Sequence, residues 1–151
     1  MGRRRILFLA GPSGASSGEE RKEGYRRAMQ EAGIADVDPF IFSAGFDEEG
    51  GRKAVLQALD EGMTFDAIFA VNDSVAVGAA NVLLDQGVRI PEDVAVAGYG
   101  NLLVGEMFRI PLTSVHQPTS DLADAAVAEL MEIFNKGEPK TRRLPVQLVV
   151  R

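Results

Sequence analysis

Short apolar, β-branched runs alternate along this chain with longer amphipathic ones, and a parallel sheet with crossover helices is what that pattern requires. Residues 5–10 read as a buried strand. It leads into a loop of small residues, Gly11-Pro12-Ser13-Gly14-Ala15-Ser16-Ser17-Gly18, and then residues 19–32 read as a helix stopped by Gly33. A second strand is expected over residues 37–43, where Pro39, lacking an N–H, places it early in the strand or at a sheet edge. Residues 47–62 read as a helix, 66–71 as a strand, 73–86 as a helix closed by Gly87, and 93–98 as a fourth strand after Pro91. Helical periodicity is lost over residues 100–118, with 113–117 a short fifth strand or linker. It resumes over 120–135, where Leu122, Ala126, Leu130 and Ile133 or Phe134 share one face, and residues 144–150 close the chain as a β-branched strand.

Right-handed crossovers leave one main solution for such a series, an open α/β fold: a mostly parallel twisted sheet with helices on both faces. Eight strands for a closed barrel are not available. At 151 residues the chain has room for a single α/β domain. Open sheets bind ligands beyond the carboxyl ends of their strands, where strand order reverses. That topology gathers residues 13–18, 71–73 and 98–101 around one crevice.

Composition narrows the chemistry. With no Cys, thiolate-bound zinc, iron–sulfur ligation and thiol catalysis are excluded. Sixteen basic against 22 acidic side chains give a net charge of −6, which opposes attachment to a phosphate backbone, so the chain is not expected to bind DNA unaided. The apolar run 6–10 is too short for a secretory core, and no segment approaches the ~20 apolar residues of a membrane span. A cytoplasmic protein without metal or cofactor is the expectation.

Three local patterns carry candidate chemistry. The loop at Gly11 lacks a phosphate loop's lysine, because Ser16 and Ser17 stand where Gly and Lys are needed. Gly14-Ala15-Ser16-Ser17-Gly18 matches the G-x-S-x-G nucleophile elbow, with His116, the only histidine, as base and Asp93 or Asp73 as the orienting acid. Small Gly/Ser patterns are common in loops, however, and this one begins several residues after its strand instead of at a sharp turn. A non-catalytic reading is therefore adopted. Asp73 is placed to cap the helix that follows it, and Asn72 offers a donor and an acceptor suited to a polyhydroxyl or amide ligand. Arg21, one turn into its helix, either reaches over the crevice for bidentate bonding or joins Glu19, Glu20 and Glu23 in surface ion pairs.

Four blocks in order resemble the effector-binding core of the lactose-repressor/galactose-repressor (LacI/GalR) regulators, which have the type I periplasmic-binding-protein fold. They are Leu9-Ala10-Gly11-Pro12 through Arg21 and Gly24-Tyr25; Asp66-Ala67-Ile68-Phe69-Ala70-Val71-Asn72-Asp73-Ser74-Val75-Ala76-Val77-Gly78-Ala79; Gly87-Val88-Arg89-Ile90-Pro91-Glu92-Asp93-Val94-Ala95-Val96-Ala97-Gly98-Tyr99; and Pro111-Leu112-Thr113-Ser114-Val115-His116-Gln117-Pro118. The resemblance implies the second subdomain of such a regulator, without the helix-turn-helix and most of the first subdomain. Residues 1–117 would be the subdomain core, and 118–151 a crossover helix and terminal strand.

Ser17, Arg21, Asn72 and Gln117 occupy effector-facing positions by this resemblance. With Ser13, Gly100 and Asn101 from the converging loops they form the expected effector-binding set. Relatives usually carry Asp at position 100, used on sugar hydroxyls, whereas this chain has Gly100 followed by Asn101. Dimerisation through this subdomain would involve Val77, Asn81, Met107 and Phe108. Operator DNA would be a partner only through a separate N-terminal domain. The expected function is effector binding and dimerisation in such a regulator, with a sugar or nucleobase-like metabolite in the cleft. The alternatives are a free-standing flavodoxin-like binding protein and a Ser16/His116 hydrolase.

In the family the helix after Gln117 covers the first subdomain. Here its apolar stripe needs another cover, since burying each Leu or Ile is worth roughly 1.5–3 kcal/mol. It is expected to fold onto its own sheet, giving a flavodoxin-like layered domain, or to dock on another copy.

Overall fold

The computed structural model describes residues 2–151. Its strands are β1 (Ile6–Ala10), β2 (Ile41–Ser43), β3 (Ala67–Ala70), β4 (Ala95–Gly100), β5 (Thr113–His116) and β6 (Gln147–Val149). They form one sheet in the order β2-β1-β3-β4-β5-β6, parallel except where β6 runs antiparallel to β5. The helices are α1 (Ser16–Glu31), α2 (Glu48–Asp60), α3 (Asp73–Asp85), α4 (Leu103–Glu106) and α5 (Thr119–Phe134). The expected open α/β architecture is present, and strand order reverses between β1 and β3. β2 lies at the edge that Pro39 suggested, but it begins only at Ile41, because Asp38–Phe40 wind into a 3-10 turn that proline's restricted φ favours.

The period-2 alternation of side chains divides the sheet into two unequal faces. Leu7, Leu9, Phe42, Ile68, Ala70 and Val96 point toward α2 and α3, where they join the main core. The other face is covered by α1 and the segment that follows it, over a small cluster of Phe8, Ala10, Tyr25 and Met29 with Ile34 and Val37 packed against it. The main core depends on an unusually close approach of α2 to α3. A Cβ at Gly51 would lie 2.2 Å from the Val75 carbonyl oxygen, and one at Gly78 would lie 1.9 Å from that of Glu48. Each helix thus presents a glycine to the other's backbone.

α5 does not fold onto the sheet, so of the two covers expected for its apolar stripe the one supplied by its own sheet is not realised. None of its residues is buried: Leu122, Leu130 and Ile133 are 44%, 49% and 52% exposed. Gln117 and Pro118 lead the chain off the end of β5, and the returning segment is tied to α5 itself, with Glu129 accepting from the Lys140 amide and Arg142. The α1-side face of β3–β5 is therefore left open as a groove of about 620 Å³.

Tyr25 anchors α1 at this face. Its ring stacks on Phe8 at 5.0 Å and its hydroxyl donates to the Ile6 carbonyl at 2.7 Å. Burial, aided by the charge of Asp38, pushes the phenol up to about 12. A folded pKa raised above an unfolded value near ~10 means that this contribution is whole below pH ~10 and is lost as pH rises toward 12. Ultraviolet titration should show a tyrosinate step near 12 that Tyr25→Phe removes.

Candidate functional site

The carboxyl ends of β1–β5 meet at one end of the sheet. The loop after β1 carries Ser13, which is exposed, and α1 then presents Ser17 in its first turn and Arg21 one turn later. Arg21 is held in the crevice: its guanidinium donates to the Val71 carbonyl at 2.9 Å and lies 3.9 Å over the Tyr99 ring. Of the two readings open for Arg21 in the sequence, the crevice is the one realised, while its neighbour Glu19 pairs with Lys22. Ser17, Arg21, Tyr99 and Gln117 line the polar end of the 620 Å³ groove, and Tyr25, Met29, Phe69 and Val115 line its apolar length. Three of the expected effector residues, Ser17, Arg21 and Gln117, are thus brought together.

Asn72, not Asp73, takes the capping role, and neither side chain is left free for a ligand. Asn72 is the cap of α3, its Oδ1 accepting from the Val75 amide at 2.8 Å while its Nδ2 donates to the Phe46 carbonyl at 2.8 Å. Both polar ends are engaged within the protein, so Asn72 shapes the crevice. Asp73 is fully buried, and its carboxylate accepts from the Leu102 amide at 2.5 Å and from the Ser114 hydroxyl at 2.6 Å. Gly100 ends β4 with φ 118°, and Asn101 follows at φ 51°. That left-handed turn swings the Asn101 side chain toward Arg151, which donates to its Oδ1 at 2.8 Å, and toward His116 Nδ1, 3.4 Å from its Nδ2. Ser13 and Asn101 do not join Arg21 in the groove.

Phe46 belongs at the crevice although the sequence did not mark it. It is 41% exposed, and its ring sits against Gly11, where a Cβ would come within 2.8 Å of it. The available signal was a lone aromatic in the polar turn between Gly45 and Asp47, the residue that caps α2. An exposed aromatic face can stack on another ring or make C–H contacts with it.

The Ser16/His116 arrangement is not assembled among the described residues. Among the described residues no hydrogen bond joins Ser16 to His116, whose ring faces Asn101. Asp93 pairs with Arg89 at the opposite end of β4, and this hydrogen bonding holds its carboxyl at about 2. Asp73 is taken by Leu102 and Ser114. No cluster of His, Asp or Glu that would hold a metal occurs among the described residues, and none of their helices is long and apolar enough to cross a membrane.

The residues expected at a dimer contact divide. Val77 is 4% exposed within the main core, so its side chain is withdrawn from the surface, which corrects its assignment to an interface. Asn81 accepts from Arg109, whose guanidinium lies 5.8 Å from the Phe108 ring. Met107 is 74% exposed and, with Leu103 at 66%, forms an apolar edge around α4.

An arginine, a hydroxyl and an amide side chain thus lie together at the carboxyl end of an open, mostly parallel sheet. The whole chain, residues 1–151, matches the periplasmic-binding-protein-like domain family. It is 38% identical over 149 residues to the HTH-type transcriptional regulator CelR of Thermobifida fusca, covering 99% of this chain and 43% of that protein. It is 32% identical to the ribose operon repressor of Escherichia coli, covering 95% of this chain and 43% of the repressor. Among solved structures, a CelR–cellobiose complex superposes with a TM-score of 0.92 at 36% identity, covering 99% of this chain and 46% of that one. The lac repressor dimer bound to operator and the anti-inducer ONPF gives 0.90 at 27% identity, with 99% and 52% covered. The chain belongs to the periplasmic-binding-protein-like domain family, and over nearly its whole length it is similar to transcriptional regulators and repressors. It spans less than half the length of these curated relatives.

Proposed function

We propose that this chain forms one wall of the effector cleft of a cytoplasmic LacI/GalR-type regulator and binds a small polar ring compound, a sugar or a nucleobase-like metabolite. The observation that supports this most is Arg21, braced by the Val71 carbonyl and the Tyr99 ring with Ser17 and Gln117 beside it. A guanidinium fixed in this way keeps N–H groups aimed at hydroxyl or carbonyl oxygens, and Phe46 offers a face for the ring. With glycine at position 100 no carboxylate hangs from the end of β4, so recognition rests on donors from α1 and on Gln117. Effector occupancy would act on operator affinity by linkage through the parts of the regulator that read DNA, and the α4 edge with Met107, Phe108 and Asn81 would contribute to a homodimer. The exposed stripe of α5 is suited to cover by the other lobe.

A lone wall makes about half the contacts, so dissociation constants near ~1 mM, about 4 kcal/mol of binding, are expected for the chain alone. Two-dimensional NMR with cellobiose, ribose, galactose, adenine and guanine tests this. The result expected is saturable shifts at Ser17, Arg21, Phe46 and Gln117 for at least one probe. Shifts confined to α5, or none anywhere at tens of millimolar, would overturn the reading.

A further inference from the structure

Asp73 is the one fully buried carboxylate that the effector reading leaves without a task. Its two oxygens are divided between separate elements, Oδ2 taking the Leu102 amide and Oδ1 the Ser114 hydroxyl of β5. The Ser114 oxygen in turn accepts the Asn101 amide at 3.0 Å. The carboxylate therefore holds two successive amides of the turn after β4, one directly and one through a hydroxyl. That turn is the most contorted of the crevice, with Gly100 at φ 118° and the non-glycine Asn101 at φ 51°. Left-handed backbone is uncommon at residues that carry a side chain, asparagine being among those that adopt it most readily.

Two glycines make room for this carboxylate. A Cβ at Gly98 would lie 2.1 Å from Asp73 Oδ1, and one at Gly105 would lie 3.3 Å from its Cβ. Leu102 also begins α4, the helix that bears the exposed Leu103 and leads to Met107. One buried group thus touches, at a single point, the start of α3 beside the crevice, the turn after β4, β5, and the root of the α4 edge.

We infer that Asp73 is a positioning residue: it sets the turn 100–102 at the crevice and through Leu102 fixes α4, so that the effector wall and the apolar α4 edge move as one body. The assignment of the crevice rests on the effector reading above; the clamp itself does not.

Amide hydrogen exchange on the ligand-free chain, followed by NMR, separates the two. Asp73→Asn should speed exchange at Asn101 and Leu102 by roughly tenfold or more, with the Met107 methyl shifting, while Leu9 and Ile68 in the sheet stay protected. Ser114→Ala should release Asn101 alone and leave Leu102 held, a pattern that general loosening of the fold does not produce. If Asp73→Asn does not fold, Ser114→Ala still decides the point. Uniform acceleration across the sheet, or unchanged exchange at Asn101, would overturn the clamp. For any probe that binds the parent chain, Asp73→Asn should weaken it about tenfold without altering the Arg21 contact. If no probe binds the parent chain, the effector reading fails while the exchange pattern still decides the role of Asp73.

Discussion

Alanine in place of Gly78 should cost the chain about 3 kcal/mol or more of stability, because the added methyl has nowhere to go. Its Cβ would lie 1.9 Å from the Glu48 carbonyl oxygen and 2.9 Å from the Glu48 Cα, and all of the nearest atoms are backbone. No rotamer change relieves such a clash. α2 would have to move outward, and the main core between Val55, Ala58, Val75 and Ala79 would open with it. The reciprocal change, Gly51→Ala against the Val75 backbone at 2.2 Å, should cost a similar amount.

Gly24→Ala is the contrasting case. Gly24 is mid-helix in α1 with nothing within 4 Å of an added Cβ, so alanine there should stabilise by about 0.5–1 kcal/mol through helix propensity. Urea denaturation of the three variants, compared at constant m, measures the differences. A tolerated Gly78→Ala, or a loss at Gly24 equal to that at Gly78, would mean that the helix approach does not govern the fold.

The same contact shows how far the sequence could be read. Gly78 sits in a block whose resemblance to a family was plain, yet the physical reason for a glycine there is a carbonyl thirty residues earlier in the chain, on another helix. Strand and helix order was legible because apolar alternation and glycine stops are local signals, and the crevice followed from strand topology. Arg21 was legible as one of two alternatives. Contacts between distant residues were not. The Asn72 amide reaches back to Phe46, and the turn at Asn101 is held by Ser114 and by Arg151, fifty residues on. The one-residue misplacement of the α3 cap gave Asp73 the role that Asn72 holds and missed the burial of Asp73, since adjacent residues at a helix start point to different surroundings. α5 was correctly seen as a helix with an apolar stripe, but what covers a stripe is a tertiary fact that amphipathicity alone does not contain.

Arg21 carries the second large expected effect, on binding. Arg21→Ala removes hydrogen bonds from a charged donor, each worth about 1.5–3 kcal/mol, so effector affinity should fall on the order of 10- to 100-fold. The more informative variant is Arg21→Lys. Lysine keeps the charge and can reach an oxygen, but it lacks the planar fork that donates to Val71 while lying flat on Tyr99. If orientation is what the site supplies, lysine should lose nearly as much affinity as alanine. Tyr99→Leu, which leaves the arginine in place without its aromatic shelf, should lose a smaller share, about 1 kcal/mol, as expected of a half-exposed cation–π contact. NMR titration of each variant with the tightest-binding probe gives the ordering, and urea denaturation corrects for any loss of fold. Full affinity in Arg21→Lys would show that a point charge suffices, and the bracing of Arg21 by Val71 and Tyr99 would then serve α1 packing, not recognition.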